Sequence, residues 1–249
     1  TENENLYLIY SDGTIADNFP ILFDNKFKSA PSIIENDGSS IIIIPNRNRN
    51  LYGITGQGDI LFEYFGDSYE WTEPAIIDLD EFPAIFIGSG DVLYGIDYQG
   101  NNLLGWPINL ETNIIGGPVI SDIDSDFIPE VIVTTETKIN VFNLNGTPKV
   151  GYPIGTIFNE RYSSSLVIED IDLDGDLELI SGTNQSGLFN IDIKSNGNSD
   201  GYWNMYRGNL YRNGLFKSQH ELSMNQSVNL INKFNINNIY PNPFNASTK

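Results

Sequence analysis

The chain has 249 residues, 40% hydrophobic and 12% aromatic, enough for one large or two modest domains with a real core. Its 13 basic and 33 acidic residues give a formal net charge of −20, which disfavours nucleic acid and anionic lipid as partners. Cysteine is absent, which excludes disulfides, thiolate metal sites and cysteine nucleophiles, and no apolar run reaches transmembrane length.

The chain opens with Thr1-Glu-Asn-Glu-Asn-Leu6 and shows no signal peptide. Leu6–Ile9, a turn at Asp12-Gly13 and Phe19-Pro-Ile21 read as the outer strands of a sheet whose beginning lies upstream. Four units with one grammar follow. Their first marker is Pro31, Pro74, Pro118 and Leu166, at intervals of 43, 44 and 48 residues. A second marker runs out of phase with it: Phe19-Pro-Ile21, Trp106-Pro-Ile108 and Tyr152-Pro-Ile154. Two independent markers of one period identify a repeat protein.

Within each unit a short apolar strand runs into an acidic loop. A second strand follows (Ile41–Ile44, Ala84–Ile87, Val131–Val133, Leu177–Ile180), then a third (Leu51–Ile54, Leu93–Ile96, Ile139–Phe142, Leu188–Ile191). Turns at Gln57-Gly58, Gln99-Gly100 and Asn145-Gly146 reverse the chain toward a last edge strand. Such strands bounded by Gly and Asn turns predict antiparallel hairpins, and no helical periodicity stands out before residue 216. Four short strands in about 45 residues are the pattern of a β-propeller blade. The expected fold is therefore all-β: a partial ring of about four four-stranded antiparallel blades, starting near 29, 72, 116 and 164, plus the outer strands of one more.

The chemistry concentrates in two loops. Asp122-Ile-Asp124-Ser-Asp126-Phe-Ile-Pro-Glu130 places carboxylates at positions one, three, five and nine, and Asp170-Ile-Asp172-Leu-Asp174-Gly-Asp-Leu-Glu178 repeats the spacing. Alternate carboxylates on a tight loop aim their oxygens into one small volume, and a hard cation relieves their repulsion. Oxygen-only donors without nearby His or Cys point to calcium rather than zinc or copper. The spacing is not that of an EF-hand, since position twelve is Val133 in one loop and Ser181 in the other. A solvated acidic turn is the alternative, and recurrence in matching context favours the metal. Asp78-Leu-Asp80 and Glu35-Asn-Asp37 keep fewer carboxylates, so metal is expected in the last two loops only.

Gly201–Phe216 is aromatic and basic, and reads as a closing segment whose Trp203 and Tyr206 pack on the last blade, with a ligand platform as the alternative. Residues 217–237 read as a polar linker that includes His220 as a solvated side chain. Residues 238–249 contain Tyr240-Pro-Asn-Pro-Phe244, whose prolines force an extended or turning backbone.

Pro118-Val-Ile-Ser-Asp122 through Pro129-Glu130-Val-Ile, and Asp170 through Glu178-Leu-Ile, resemble the FG-GAP/VCBS repeats of extracellular β-propellers. Gly-Trp106-Pro, Gly-Tyr152-Pro and Trp203…Arg207…Arg212-Asn-Gly214 fit the same family, and the resemblance covers residues 1–216. It implies calcium held by Asp122, Asp124, Asp126, Glu130 and the Ile128 carbonyl, and by Asp170, Asp172, Asp174, Glu178 and the Asp176 carbonyl. Phe127 stands where the second loop has Gly175, a departure that puts the first turn in question. Separately, Tyr240–Thr248 is similar to the opening of the C-terminal sorting domain of type IX secretion, which implies contact with that secretion machinery and an outer-surface or extracellular location. Only the start of that domain is present, as in a piece of a longer protein.

No nucleophile elbow, His-Glu-x-x-His motif or phosphate loop occurs, and Gly88-Ser-Gly90 lacks partners. The expected function is a non-catalytic, calcium-binding propeller acting in adhesion, in protein or carbohydrate recognition, or as a scaffold. The alternative is an accessory module of an exported hydrolase, such as a peptidase, whose catalytic domain lies upstream.

Overall fold

The computed structural model describes residues 4–27, 29–36, 38–156, 160–185 and 187–220. Two strands open it, β1 (Asn5–Leu6) and β2 (Ile21–Leu22), paired antiparallel. The first full sheet comprises β3 (Ser32–Asn36), β4 (Ser39–Pro45), β5 (Asn50–Thr55) and β6 (Ile60–Phe65). The second comprises β7 (Ala75–Asp78), β8 (Pro83–Ser89), β9 (Val92–Asp97) and β10 (Ile108–Asn109). The third comprises β11 (Val119–Ser121), β12 (Glu130–Thr134), β13 (Lys138–Asn143) and β14 (Ile154–Gly155). The fourth has three strands, β15 (Val167–Glu169), β16 (Asp176–Gly182) and β17 (Leu188–Asn196). A last short strand, β18 (Leu215–Lys217), completes the order. Each sheet begins one residue after its marker: Ser32 follows Pro31, Ala75 Pro74, Val119 Pro118 and Val167 Leu166.

Consecutive strands within each sheet pair antiparallel, as expected from the hairpin signals. The glycine turns close those hairpins: Gly58, Gly100 and Gly146 take φ of 93°, 88° and 80°. Their amides donate to the carbonyls of Thr55, Asp97 and Asn143. The left-handed conformation at each position is the reason for glycine there.

The central strands are buried on both faces, which explains their continuous apolar runs. In β4, Ile41 and Ile43 enter one core, shared with the second sheet, while Ile42 and Ile44 enter another, shared with Leu6, Phe19 and Ile21. In β12, Val131 and Val133 face the first of these cores, and Ile132 faces a third core with Leu177 and Leu179 of the fourth sheet. Side-chain alternation along one strand therefore feeds two inter-sheet cores, and the sheets stack face to face. The fourth sheet is the exception: β17 alternates between exposed and half-buried, with Leu188 70% exposed.

Hydrogen bonds stitch neighbouring sheets. The buried Ser32 hydroxyl donates to the Pro74 carbonyl at 2.8 Å, Thr134 to Ser164 at 3.1 Å, and the Trp106 indole to Leu144 at 2.8 Å. Trp106 lies over Gly95, where a Cβ would sit 2.7 Å from its ring, so the glycine in Leu93-Tyr-Gly-Ile96 makes room for the aromatic marker.

Residues 198–220 cross the first strands of the sheets in turn. Asp122 and Asn198 exchange both backbone hydrogen bonds, Ile120 donates to Trp203, Ile168 to Asn204, and Ile33 to Gly214. Strand β18 then pairs in parallel with β3, giving the first sheet a fifth strand. Trp203 is buried in the large core with Trp71, Phe86 and Trp106. Tyr206 hydrogen-bonds Glu73, and a guanidinium nitrogen of Arg207 donates to the carbonyls of Pro31 and Asn213. The two aromatic rings expected on the last sheet thus point toward the earlier ones, while Ser199 and Asn204 of the same segment fasten it to β15. A single 3-10 turn, Tyr206–Gly208, is the only helical element among the described residues.

Contact continues beyond 216. The Ser218 hydroxyl and the Gln219 amide donate to the Asp78 carboxylate, both at 2.7 Å, and the His220 ring donates to the Leu79 carbonyl. His220 is therefore half-buried and bonded rather than solvated as the sequence suggested. Residues 221–249, including the expected linker and the Tyr240–Thr248 motif, lie outside the described residues.

Truncating a buried Trp costs about 3–5 kcal/mol. Trp203→Ala should destabilise the chain by that amount in urea unfolding, whereas Tyr211→Ala, at an 88% exposed position of the same segment, should stay within about 0.5 kcal/mol.

Candidate metal centre

Both acidic loops connect the first strand of a sheet to the second: 122–129 between β11 and β12, and 170–175 between β15 and β16. Most of their internal hydrogen bonds match position by position, though Asp122 alone also accepts the amide two residues on, that of Asp124 at 3.3 Å. Asp122 accepts the amides of Asp126 at 3.3 Å and Phe127 at 3.0 Å, while Asp170 accepts those of Asp174 at 3.2 Å and Gly175 at 3.0 Å. Glu130 accepts the Ile123 amide at 3.1 Å, and Glu178 the Ile171 amide at 2.8 Å. The turns agree as well. Ser125 and Phe127 have φ of 55° and 67°, and Leu173 and Gly175 have 63° and 96°. Phe127 adopts the left-handed conformation that the second loop gives to glycine, at a cost of about 1 kcal/mol, with its ring 89% exposed.

The folded loops gather carboxylate oxygens of Asp122, Asp124 and Glu130 within 4.8 Å of one another, and likewise those of Asp170, Asp172 and Glu178. Asp126 and Asp174 stand outside these groups. Each turns an oxygen onto the amide two residues on, that of Ile128 at 2.8 Å or Asp176 at 3.0 Å. The donor set is all oxygen, as a hard cation requires, and each group mixes a buried Glu with an exposed Asp.

Electrostatically the loops differ. The Lys149 ammonium sits 2.6 Å from Asp124 and 2.8 Å from Glu130, with its side chain 17% exposed and that of Glu130 1% exposed. Desolvation pulls the Lys149 pKa down, but the hydrogen bonds to Asp124 and Glu130 outweigh it and hold the ammonium above its usual range. Burial pushes the Glu130 carboxyl up, opposed by Lys149 and the Ile123 amide. Burial first, and then the charges of Asp122, Glu130 and Asp126, raise the nearby Tyr202 phenol. Among the described residues, Asp170, Asp172 and Glu178 form no ion pair. Desolvation and then its acidic neighbours, led by Asp174 and Asp192, raise Asp176.

The reduced loop of the second sheet is satisfied differently again. Asp78 occupies the place of Asp122 and Asp170, and its carboxylate caps Ser218 and Gln219 instead of its own turn. In the first sheet Asn36 donates to the carbonyls of Ser218 and His220. Asp37 lies outside the described residues.

No family model and no curated protein matches the chain. Solved structures do. BBS1N in complex with ARL6DN is 16% identical, with a TM-score of 0.50 over 77% of this chain and 58% of that one. BamB from Moraxella catarrhalis is 14% identical, with a TM-score of 0.51 over 74% of this chain and 51% of that one. The fold is of the β-propeller type. This chain spans less than two thirds of the length of either relative.

In propeller terms, the acidic loops join the first strand of a blade to its second. Lys149 lies on the return toward the outer edge of its blade, where its amide donates to Val141. The loop pattern does not point to this lysine, but the repeat does. Lys149 stands three residues before Tyr152 of the aromatic-Pro marker, where other repeats have Leu103 and Ala16, both with the same backbone bond. A charged residue at an otherwise apolar repeat position is the signal.

Removing one partner of a buried ion pair costs about 3–5 kcal/mol. Without calcium, Lys149→Met should lose on the order of 3 kcal/mol, at the low end because the lysine is partly exposed. Urea unfolding in chelator measures it, and Lys149→Arg, which keeps the charge, should lose less.

Proposed function

We propose that the chain is a non-catalytic, calcium-binding propeller of a secreted or cell-surface bacterial protein, acting in adhesion, in protein or carbohydrate recognition, or as a scaffold. The observation that carries this reading is the recurrence of one loop, 48 residues apart, with matching hydrogen bonds and three converging carboxylates in each copy. Asp170, Asp172 and Glu178 fit a hard cation by their donor chemistry. Asp126, Asp174 and the carbonyls of Ile128 and Asp176 complete the ligand sets that the repeat resemblance implies.

On this reading the propeller is an arc of four blades, opening near 29, 72, 116 and 164, with β1 and β2 as the outer strands of one more. The repeats and the segment that closes them run to residue 220, the stretch up to 237 links them onward, and 238–249 begin a sorting domain that engages type IX secretion. BBS1N, a structural relative, was solved in complex with ARL6DN, which supports a propeller surface as a place for protein recognition. No helix of the described residues is long and apolar enough to cross a membrane.

Calcium sites of extracellular modules have dissociation constants on the order of 0.1–1 mM. At about ten times that concentration, mass action adds about 1.4 kcal/mol per filled site. Thermal unfolding of the full chain should therefore rise by about 3–6 °C in calcium relative to chelator. The gain should vanish as the pH falls below about 4, because protonated carboxylates cannot ligate. Coincident curves at neutral pH would leave the loops as acidic turns and remove the calcium reading.

A further inference from the structure

We infer that Lys149 is the built-in cation of the first loop, so that a soluble divalent cation enters only the second, at Asp170, Asp172 and Glu178. The second half of this statement rests on the calcium reading above; the first half stands on its own geometry.

The two loops share the same backbone turn and the same amide bonds to their first Asp and last Glu, so their carboxylate groups present equivalent cradles. In one cradle an ammonium is already seated, 2.6 and 2.8 Å from two of the three carboxylates. It shows what this arrangement of oxygens attracts. Lys149 also does not arrive by chance from a loose surface. Its amide is bonded to Val141, and the turn before it is locked by the Trp106 indole on Leu144. That turn packs closely on the neighbouring blade, where a Cβ on Gly105 would meet the Asn145 carbonyl at 1.9 Å.

The competition between the two cations follows from this placement. A group held on an ordered backbone has an effective concentration of millimolar or more, and it loses no translational freedom on binding. Calcium at millimolar levels would have to break two charge-assisted bonds and expel the ammonium to water. In the second loop no ammonium of the described residues is bonded to Asp170, Asp172 or Glu178; Lys194, whose charge reaches Asp174 and Asp176, is bonded to Asp192 instead. No aromatic-Pro marker follows it, and β17 instead runs on to Asn196, so the repeat position that carries Lys149 has no counterpart there.

Calorimetric titration of the full, chelator-stripped chain with calcium tests the division. Wild type should take up one ion, Asp172→Asn none, and Asp124→Asn still one. Lys149→Met should take up two, and calcium should restore part of its lost stability. The Asp172 and Asp124 variants carry the test even where Lys149→Met folds poorly. Two ions in wild type, or one retained by Asp172→Asn, would overturn the inference and leave the calcium reading standing. No uptake by any form would overturn the calcium reading and with it the divalent half of the inference. Amine acylation read by mass spectrometry tests the lysine separately. Lys149 should stay unmodified under conditions that label Lys194, whose side chain is 72% exposed. Calcium should not unmask it; labelling that appears only with calcium would show displacement and sink the proposal.

Discussion

Each sheet presents its first strand with one edge that its own hairpins cannot pair, and the structure depends on how those edges are satisfied. Buried backbone donors and acceptors left open would each cost on the order of 1–3 kcal/mol. Residues 198–218 meet this need for three sheets by laying their backbone along β11, β15 and β3, bonding Asp122, Ile120, Ile168, Ile33 and Glu35, and they reach the second sheet through the Asp78 carboxylate. The segment can run there because Trp203 is an anchor in the large core and Gly208 leaves space against its ring, where a Cβ would lie 2.6 Å away. Packing and hydrogen bonding thus act at the same place: the aromatic side chain holds the segment in depth, and its backbone closes the edges.

The connections from first to second strand show how one local design accepts different partners. Every such loop of the later sheets begins with an aspartate at a strand end. At Asp122 and Asp170 that carboxylate folds its own turn; at Asp78 it captures the amide and hydroxyl of the closing segment. Where three carboxylates converge, the charge must be balanced, by an ammonium of the chain in one case and, on the proposed reading, by a metal ion in the other. An overall charge of −20 makes this balance a general demand on the molecule, since thirteen basic groups cannot pair thirty-three acids.

The repeat was legible in the sequence because two markers keep one period and because strands buried on both faces read as unbroken apolar runs. Ile41–Ile44 divides its side chains between two cores, and no half-exposed strand would show four isoleucines in a row. The loops were legible from carboxylate spacing, though Asp126 and Asp174, indistinguishable in that spacing from their neighbours, turn inward on backbone amides. Phe127 obscured the left-handed turn that Gly175 announced, because a non-glycine residue gives no sign of positive φ. The route of the closing segment left no local trace: parallel pairing of β18 with β3 depends on residues far apart in the chain. Nor could Lys149 be found within the loop it serves; only alignment with Leu103 and Ala16 exposes it.

The parallel strand at the inner edge of the first sheet also sets an order of assembly. Asn36 bonds Ser218 and His220 across 182 and 184 residues, and Arg207 bonds Pro31 across 176. Hairpins such as β4–β5 form from neighbours within microseconds, but β3 keeps an open edge until the chain has been made nearly to its last described residue. Loop closure over such a span adds little to the equilibrium cost, about 0.6 kcal/mol per doubling of length, yet it slows the search. A nascent or clipped chain lacking residues 215–218 would therefore display an unpaired isoleucine-rich strand, the kind of edge on which other chains can add. Those four residues are what separate a covered edge from a sticky one.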